Sequence, residues 1–190
     1  TFARPLGIVR DTREATIAAF EAAIASDFVI SSGGVSVGAF DFVKDALDAL
    51  GAETKFWRVG MKPGKPVVVS RLRDRVVFGL PGNPVSCFVS FHLFVAPALR
   101  KAMGQETQLH APTVRARLTA TVKGAPERPV YARVQVSARD GALFATPLSS
   151  QSSGALTSML TANGLAVIAE GGRGEAGAEA DVVLLGLPTW

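Results

Sequence analysis

"SSGGVSVGAFD", residues 31–41, stands between the apolar run "DFVI" and the helix-like "FVKDALDAL". Glycine admits backbone conformations and close approaches that a Cβ forbids, and the first N–H groups of a helix favour an anion. The stretch therefore reads as a strand-to-helix turn, either a plain turn or a loop whose backbone faces something negative. Outward from it, strand-like and helix-like segments alternate. "LGIVR" reads as a short strand or its exit, and residues 11–26 read as a helix with Ile17, Phe20, Ala23 and Ile24 at helical spacing. Residues 28–31 read as a strand, and 40–50 as a helix that stops before Gly51. Further strands are expected at 53–59, 67–71 and 75–79, and then a long apolar helix after "LPGNPVS", bent or interrupted near Pro97. This alternation predicts a three-layer α/β/α domain with a mainly parallel sheet over residues 1–104.

After Gly104 the period changes. "TVRARLTATV", "VYARVQVSA", "ALFATPL", "GLAVIAE" and "ADVVLLG" are short runs separated by turn-rich segments such as "KGAPERP" and "GGRGEAGAEA". Residues 105–190 therefore read as an all-β domain, a small barrel or sandwich, with the boundary near 104–112.

With 190 residues, 48% hydrophobic and 19% charged, the chain has the composition of a globular protein. The apolar stretch "CFVSFHLFVAPAL" is interrupted by Ser90, His92 and Pro97 and reads as too short for a bilayer span, and no signal-peptide pattern opens the chain. A single cysteine, Cys87, excludes an internal disulfide and fits a reducing cytoplasm. Two histidines, His92 and His110, leave little for a His/Cys metal site, so any metal is expected to be a hard cation on oxygen ligands. The net charge is +4, and Lys55, Arg58, Lys62, Lys65, Arg71, Arg73 and Arg75 face only Asp74 across residues 55–75. Such a cluster suits a phosphate or another oxyanion; with no aromatic stacking motif beside it, nucleic acid is not the expected partner.

Several residues carry competing readings. Asp11 opens "DTRE", which has the form of a helix cap, while Asp41 begins the next helix and also suits a cap or the helix dipole. Helix starts in a parallel α/β sheet share the ligand-binding edge, so the two carboxylates could instead share Mg²⁺ with a phosphate. "MKPGKP", residues 61–66, reads as a Pro-Gly turn presenting Lys62 and Lys65, with Pro66 fixing the exit. "LPGNPVS", residues 80–86, offers a second turn, Gly82–Asn83, ahead of a helix carrying Ser86. Each is also compatible with an ordinary turn. Farther on, Arg128 and Arg133 lie on or near one strand, where isolated arginines usually face water, and "SSQSSG" at 149–154 reads as a polar loop.

The ordered set "GIVRD", "ISSGGVSVGAFDFVK", "FWRVGMKPGKP" and "FGLPGNPVS" closely resembles the molybdopterin molybdenumtransferases, the family that includes the gephyrin E-domain. The resemblance extends more weakly through "RPVYARV" and "LSSQSSG". It implies insertion of molybdenum from molybdate into adenylylated molybdopterin with release of AMP, aided by Mg²⁺, in a cytoplasmic homodimer. Carried over by motif, Asp11 and Asp41 are the acidic pair near nucleotide phosphate and metal, and Lys62 and Lys65 anchor molybdate and phosphate. Pro66 and Ser86 lie at a second oxyanion position, and Arg133 and Ser153 are the β domain's contribution to the molybdate pocket. Gly33, Gly34, Ser36, Gly82 and Asn83 belong to the substrate-binding loops, and Arg58 stands where some members have lysine. Two alternatives remain: an adenylyltransferase of the same fold, whose members lack the barrel, and a non-catalytic scaffold module.

The resemblance also implies that the opening strand and helix of the α/β domain precede Thr1, leaving this domain incomplete. An uncovered edge and an exposed apolar patch are then expected beside residues 28–31, or association with another copy.

Overall fold

The computed structural model describes residues 2–36 and 41–189. It divides into two units, residues 1–59 with 64–90, and residues 60–63 with 91–190.

In the first unit one row of residues crosses the whole sheet: Ser31 of β1 (Phe28–Ser32) beside Gly79 of β4 (Arg75–Leu80), then Val68 of β3 (Val68–Leu72) and Trp57 of β2 (Glu53–Trp57). The strand order is β1-β4-β3-β2. Only β1 and β4 run parallel; β3 pairs antiparallel with both β4 and β2. The expected mainly parallel sheet is thus a mixed one. The connection from β3 to β4 is a two-residue hairpin turn at Arg73–Asp74, with Arg73 at φ 53°, too short for a crossover.

Two helices cover the face that carries Val29, Val68, Leu72 and Val77. They are α1 (Arg13–Ala23), contributing Phe20 and Ala23, and α2 (Val43–Ala49), contributing Val43, Ala46 and Leu47. The opposite phase of β4, Phe78 and Leu80, is also buried, and α3 (Pro84–Ser90) packs on β4 with Val85 and Val89 inside. Three layers result. Along the β1 edge the cover is thinner: Phe28 stacks on Phe78 with centroids 6.4 Å apart, while Ile30 remains 45% exposed. "LGIVR" is not a strand. Among the described residues it has no ladder partner, and Ile8 is fully exposed.

In the second unit a π-turn at Phe91–Val95 leads into α4 (Ala96–Ala102), which has Pro97 in its first turn. The predicted irregularity near Pro97 is this π-turn, since proline offers no N–H and crowds the carbonyl four residues back. Residues 84–102 together form a helix of 19 residues with mean hydropathy 1.2, long and apolar enough to cross a bilayer. The expectation that this stretch is too short is corrected on length. Val85, Val89 and Val95 are nevertheless buried within the protein.

The remainder is a closed barrel in the order β11-β5-β8-β7-β9. Its strands are β5 (Thr113–Leu118), β7 (Val130–Arg139), β8 (Ala142–Pro147), β9 (Gly164–Ile168) and β11 (Glu179–Leu184). A small ribbon of β6 (Val122–Lys123) and β10 (Arg173–Gly174) lies beside it, and α5 (Ser158–Thr161) precedes β9. Ala132, Val134, Val136, Ala166 and Val182 are among the alternate residues filling the interior, as the period-two pattern requires. Closure satisfies the backbone without leaving edges.

Candidate functional site

Everything beyond the Ser31–Gly79–Val68–Trp57 row belongs to one edge of the first unit's sheet. From that edge leave the glycine loop after β1, the 58–67 connection between β2 and β3, and the 81–83 turn before α3. α2 begins there as well, since its first N–H, that of Val43, is bound to the glycine loop, while α1 ends shortly before β1 begins.

The glycine loop is held from several sides. Gly33 donates its N–H to Leu80 O (2.9 Å), Ser32 Oγ donates to Pro81 O (3.2 Å), and Val43 N–H donates to Gly34 O (3.0 Å). Gly34 has φ 68°, a left-handed conformation that explains the glycine. A Cβ on Gly82 would meet the Gly33 Cα at 3.4 Å, so the two predicted turns touch. Val35 anchors the loop: its side chain is buried over Gly79, and its carbonyl accepts the Trp57 indole N–H at 3.3 Å. The same indole also carries two cations, the Arg58 guanidinium 4.2 Å from the ring and Lys44 at 5.7 Å. On the sequence Trp57 carries no role of its own within "FWRVG"; an aromatic flanked by arginine at a strand end is the signal that marks it.

Of the two acids, Asp11 is not the cap. Thr12 is, accepting Ala15 N–H at 3.2 Å, and Asp11 stands exposed just before it. Asp41 is half-buried two residues ahead of α2. Ser36 and Lys65 are exposed, Pro66 is half-buried, Gly82 and Asn83 are exposed, and Ser86 is buried within α3. Residues 37–40 of the quoted motif lie outside the described residues. Ser31 Oγ is buried at this edge with no hydrogen-bond partner among the described residues.

The basic run at 55–75 is split by the fold. Arg71 and Arg75 belong to the far end of the sheet, where Arg71 faces Glu53 (3.8 Å) and Arg75 faces Asp27 (3.1 Å). Lys55 also pairs with Glu53, whose carboxyl is held below its ordinary pKa chiefly by that hydrogen bond. Arg58 and Lys65 lie at the loop edge. The pooled cluster was an artefact of sequence proximity across a hairpin.

Lys62 belongs to the second unit. Its N–H donates to Pro129 O (3.0 Å) and its carbonyl accepts Tyr131 N–H (2.8 Å), bridging it to Val130 at the start of β7. Three residues along that strand is Arg133, which corrects the expectation of a solvent-facing arginine. It is 1% exposed, and Nη2 donates to the carbonyls of Ser150 (2.9 Å) and Ser152 (3.1 Å). Nη1 is buried without a partner, and no carboxylate forms an ion pair with it among the described residues. Burial holds its pKa below the ordinary arginine value. A buried cation without a counter-charge is costly, and an oxyanion would supply the missing acceptors. Ser153, half-buried, follows directly in the covering loop.

An α/β unit with a glycine loop at its sheet edge, followed by a closed β-barrel, defines the class of protein, and comparison with known proteins gives the family. Residues 3–101 match the family described as "Probable molybdopterin binding domain", and residues 115–185 match "MoeA C-terminal region (domain IV)". The chain is 36% identical over 182 residues to a molybdopterin molybdenumtransferase from Bacillus subtilis, covering 95% of this chain and 42% of that protein. It is 37% identical to gephyrin from Dictyostelium discoideum, covering 85% of this chain and 26% of the relative. Among solved structures, the molybdopterin biosynthesis MoeA protein from Pyrococcus horikosii superposes with TM-score 0.78 at 32% identity, covering 94% of this chain and 42% of that one. The chain belongs to the molybdopterin molybdenumtransferase and gephyrin family, and it spans less than half the length of these relatives.

Proposed function

We propose that the protein inserts molybdenum from molybdate into adenylylated molybdopterin and releases AMP. The observation that carries this reading is Arg133, buried and, among the described residues, without a carboxylate and with Nη1 lacking an acceptor, in a chain of this family. The reaction gathers a tetrahedral dianion, thiolates and phosphates, all negative, so cationic donors must offset their repulsion. In this reading Lys62, Arg133 and Ser153 hold molybdate, while Arg58, Lys65, Pro66 and Ser86 serve the phosphates and a second oxyanion position. The backbone of Gly33, Gly34, Ser36, Gly82 and Asn83 receives the pterin nucleotide.

Mg²⁺ fits the donor set. Asp11 and Asp41 are two carboxylates that each stand just ahead of a helix, and no group of three or more His, Cys, Asp or Glu forms a closed metal site among the described residues. One or two protein carboxylates, with substrate phosphate and water filling the rest, is the usual Mg²⁺ arrangement. The ion would offset charge on the phosphate that leaves with AMP. The same reading makes the protein cytoplasmic and homodimeric, and sets the domain limits at 1–104 and 105–190.

The test is incubation of the chain with adenylylated molybdopterin, molybdate and Mg²⁺, following AMP by chromatography. Molybdate-dependent AMP release is expected. Pyrophosphate release and formation of adenylylated molybdopterin from ATP and molybdopterin, in place of molybdate-dependent AMP release, would favour an adenylyltransferase, and substrate binding without turnover at any enzyme concentration would favour a binding module.

A further inference from the structure

Arg133 lies where β8 runs out. The β7–β8 ladder ends at the pair Val134 and Pro147, after which Leu148 donates its N–H to Arg133 O at 3.1 Å. The next ladder partner is a side chain. Gln151 Oε1 accepts Arg133 N–H at 2.9 Å, and Gln151 Nε2 donates to Arg133 O at 2.9 Å and to Leu148 O at 3.1 Å. A primary amide carries one acceptor and two donors, so it can imitate a strand residue toward a backbone N–H and C=O.

The consequence falls on the guanidinium. Gln151 is flanked by Ser150 and Ser152, and fixing it to the Arg133 backbone sets both their carbonyls on Nη2. Those two bonds occupy both hydrogens of Nη2, and the planar fork of arginine then fixes where Nη1 points. We propose that Gln151 is a positioning residue for oxyanion binding, holding the 148–153 loop on Arg133 so that Nη1 is presented with its donors open. The inference rests on the reading of Arg133 as an oxyanion ligand.

Molybdate itself is the probe, titrated calorimetrically into the wild-type chain, Arg133→Met, Gln151→Met and the milder Gln151→Asn, which keeps the amide one methylene short. Chains labelled with ¹⁵N-arginine report the Arg133 Nη resonances, which a merely structural contribution of Gln151 to barrel stability would leave unmoved. Gln151→Met is expected to weaken molybdate binding about tenfold, the scale of a lost, well-oriented hydrogen-bond donor, and Gln151→Asn by less. In both, the Arg133 Nη signals are expected to merge as the group rotates, while barrel amide signals persist. Wild-type affinity in Gln151→Asn and in a folded Gln151→Met would overturn the inference alone, since Arg133→Met would still abolish binding. Unchanged molybdate affinity in Arg133→Met would overturn the reading of the site beneath it.

Discussion

Gly79→Ala probes how the glycine loop is tied to the sheet. A Cβ on Gly79 would lie 2.5 Å from Val68 Cγ1, 2.7 Å from Val35 Cγ1 and 3.1 Å from Val43 Cγ1. All three neighbours are buried, at 0%, 3% and 6% exposure, and all are β-branched, so none can swing aside through a second easy rotamer. Overpacking of this kind costs about 1–3 kcal/mol, while removing a glycine from the unfolded chain returns about 0.4–1 kcal/mol. The net expectation is a loss of about 1–2 kcal/mol, or roughly 5–15 °C in the melting temperature of a domain this size. Because Val35 is the loop's anchor, relief of the clash also displaces the loop, and pterin binding should weaken in the same variant. Thermal melts with a pterin titration check both. The Gly79→Ala, Val35→Ala double variant should then lose less stability than the two single losses added, by at least about 0.5 kcal/mol. Strict additivity, or a Gly79→Ala midpoint within a degree of wild type, would refute the packing argument.

Trp57→Phe keeps an aromatic ring beside Arg58 and removes the N–H donated to Val35 together with part of the indole's area. One net hydrogen bond, about 0.5–1.5 kcal/mol, predicts a twofold to tenfold weaker affinity for molybdopterin by fluorescence titration, and unchanged affinity counts against the anchor. Arg133→Met removes a buried charge that lacks a counter-ion, so the barrel should melt at or above the wild-type temperature even as molybdate binding disappears. A midpoint lowered by several degrees would mean that the arginine stabilises the fold. His92 has its pKa held below the ordinary value, first by burial and then by Arg100. The unfolded chain therefore binds the proton more readily. Stability should fall as pH drops from about 7 through the ordinary histidine value near 6.5, and level off below the folded-state value. Urea titrations across that range should show a flatter pH slope in His92→Gln; an identical slope would assign the effect to other groups.

The change of hydrophobic period after Gly104 made the two kinds of architecture legible, because barrel closure and helix-on-sheet packing demand different spacings of apolar residues. The glycine loop and the "LPGNPVS" turn were legible too, since a left-handed backbone at Gly34 and the touching of Gly33 and Gly82 tolerate little else. Other features depended on pairing between distant segments. The sheet is mixed because β3 and β4 fold back as a hairpin, which also carries Arg71 and Arg75 away from Arg58 and Lys65. Trp57 meets Val35 across 22 positions, and Gln151 meets Arg133 across 18. Linear spacing carries periodicity and local turn chemistry; burial of a charge and the donors left open around it are set only when strands from remote positions come into register. Arg133 is the case in point: on the chain it is one more alternating residue of a strand, and only the loop closing over it makes it an unpaired buried cation.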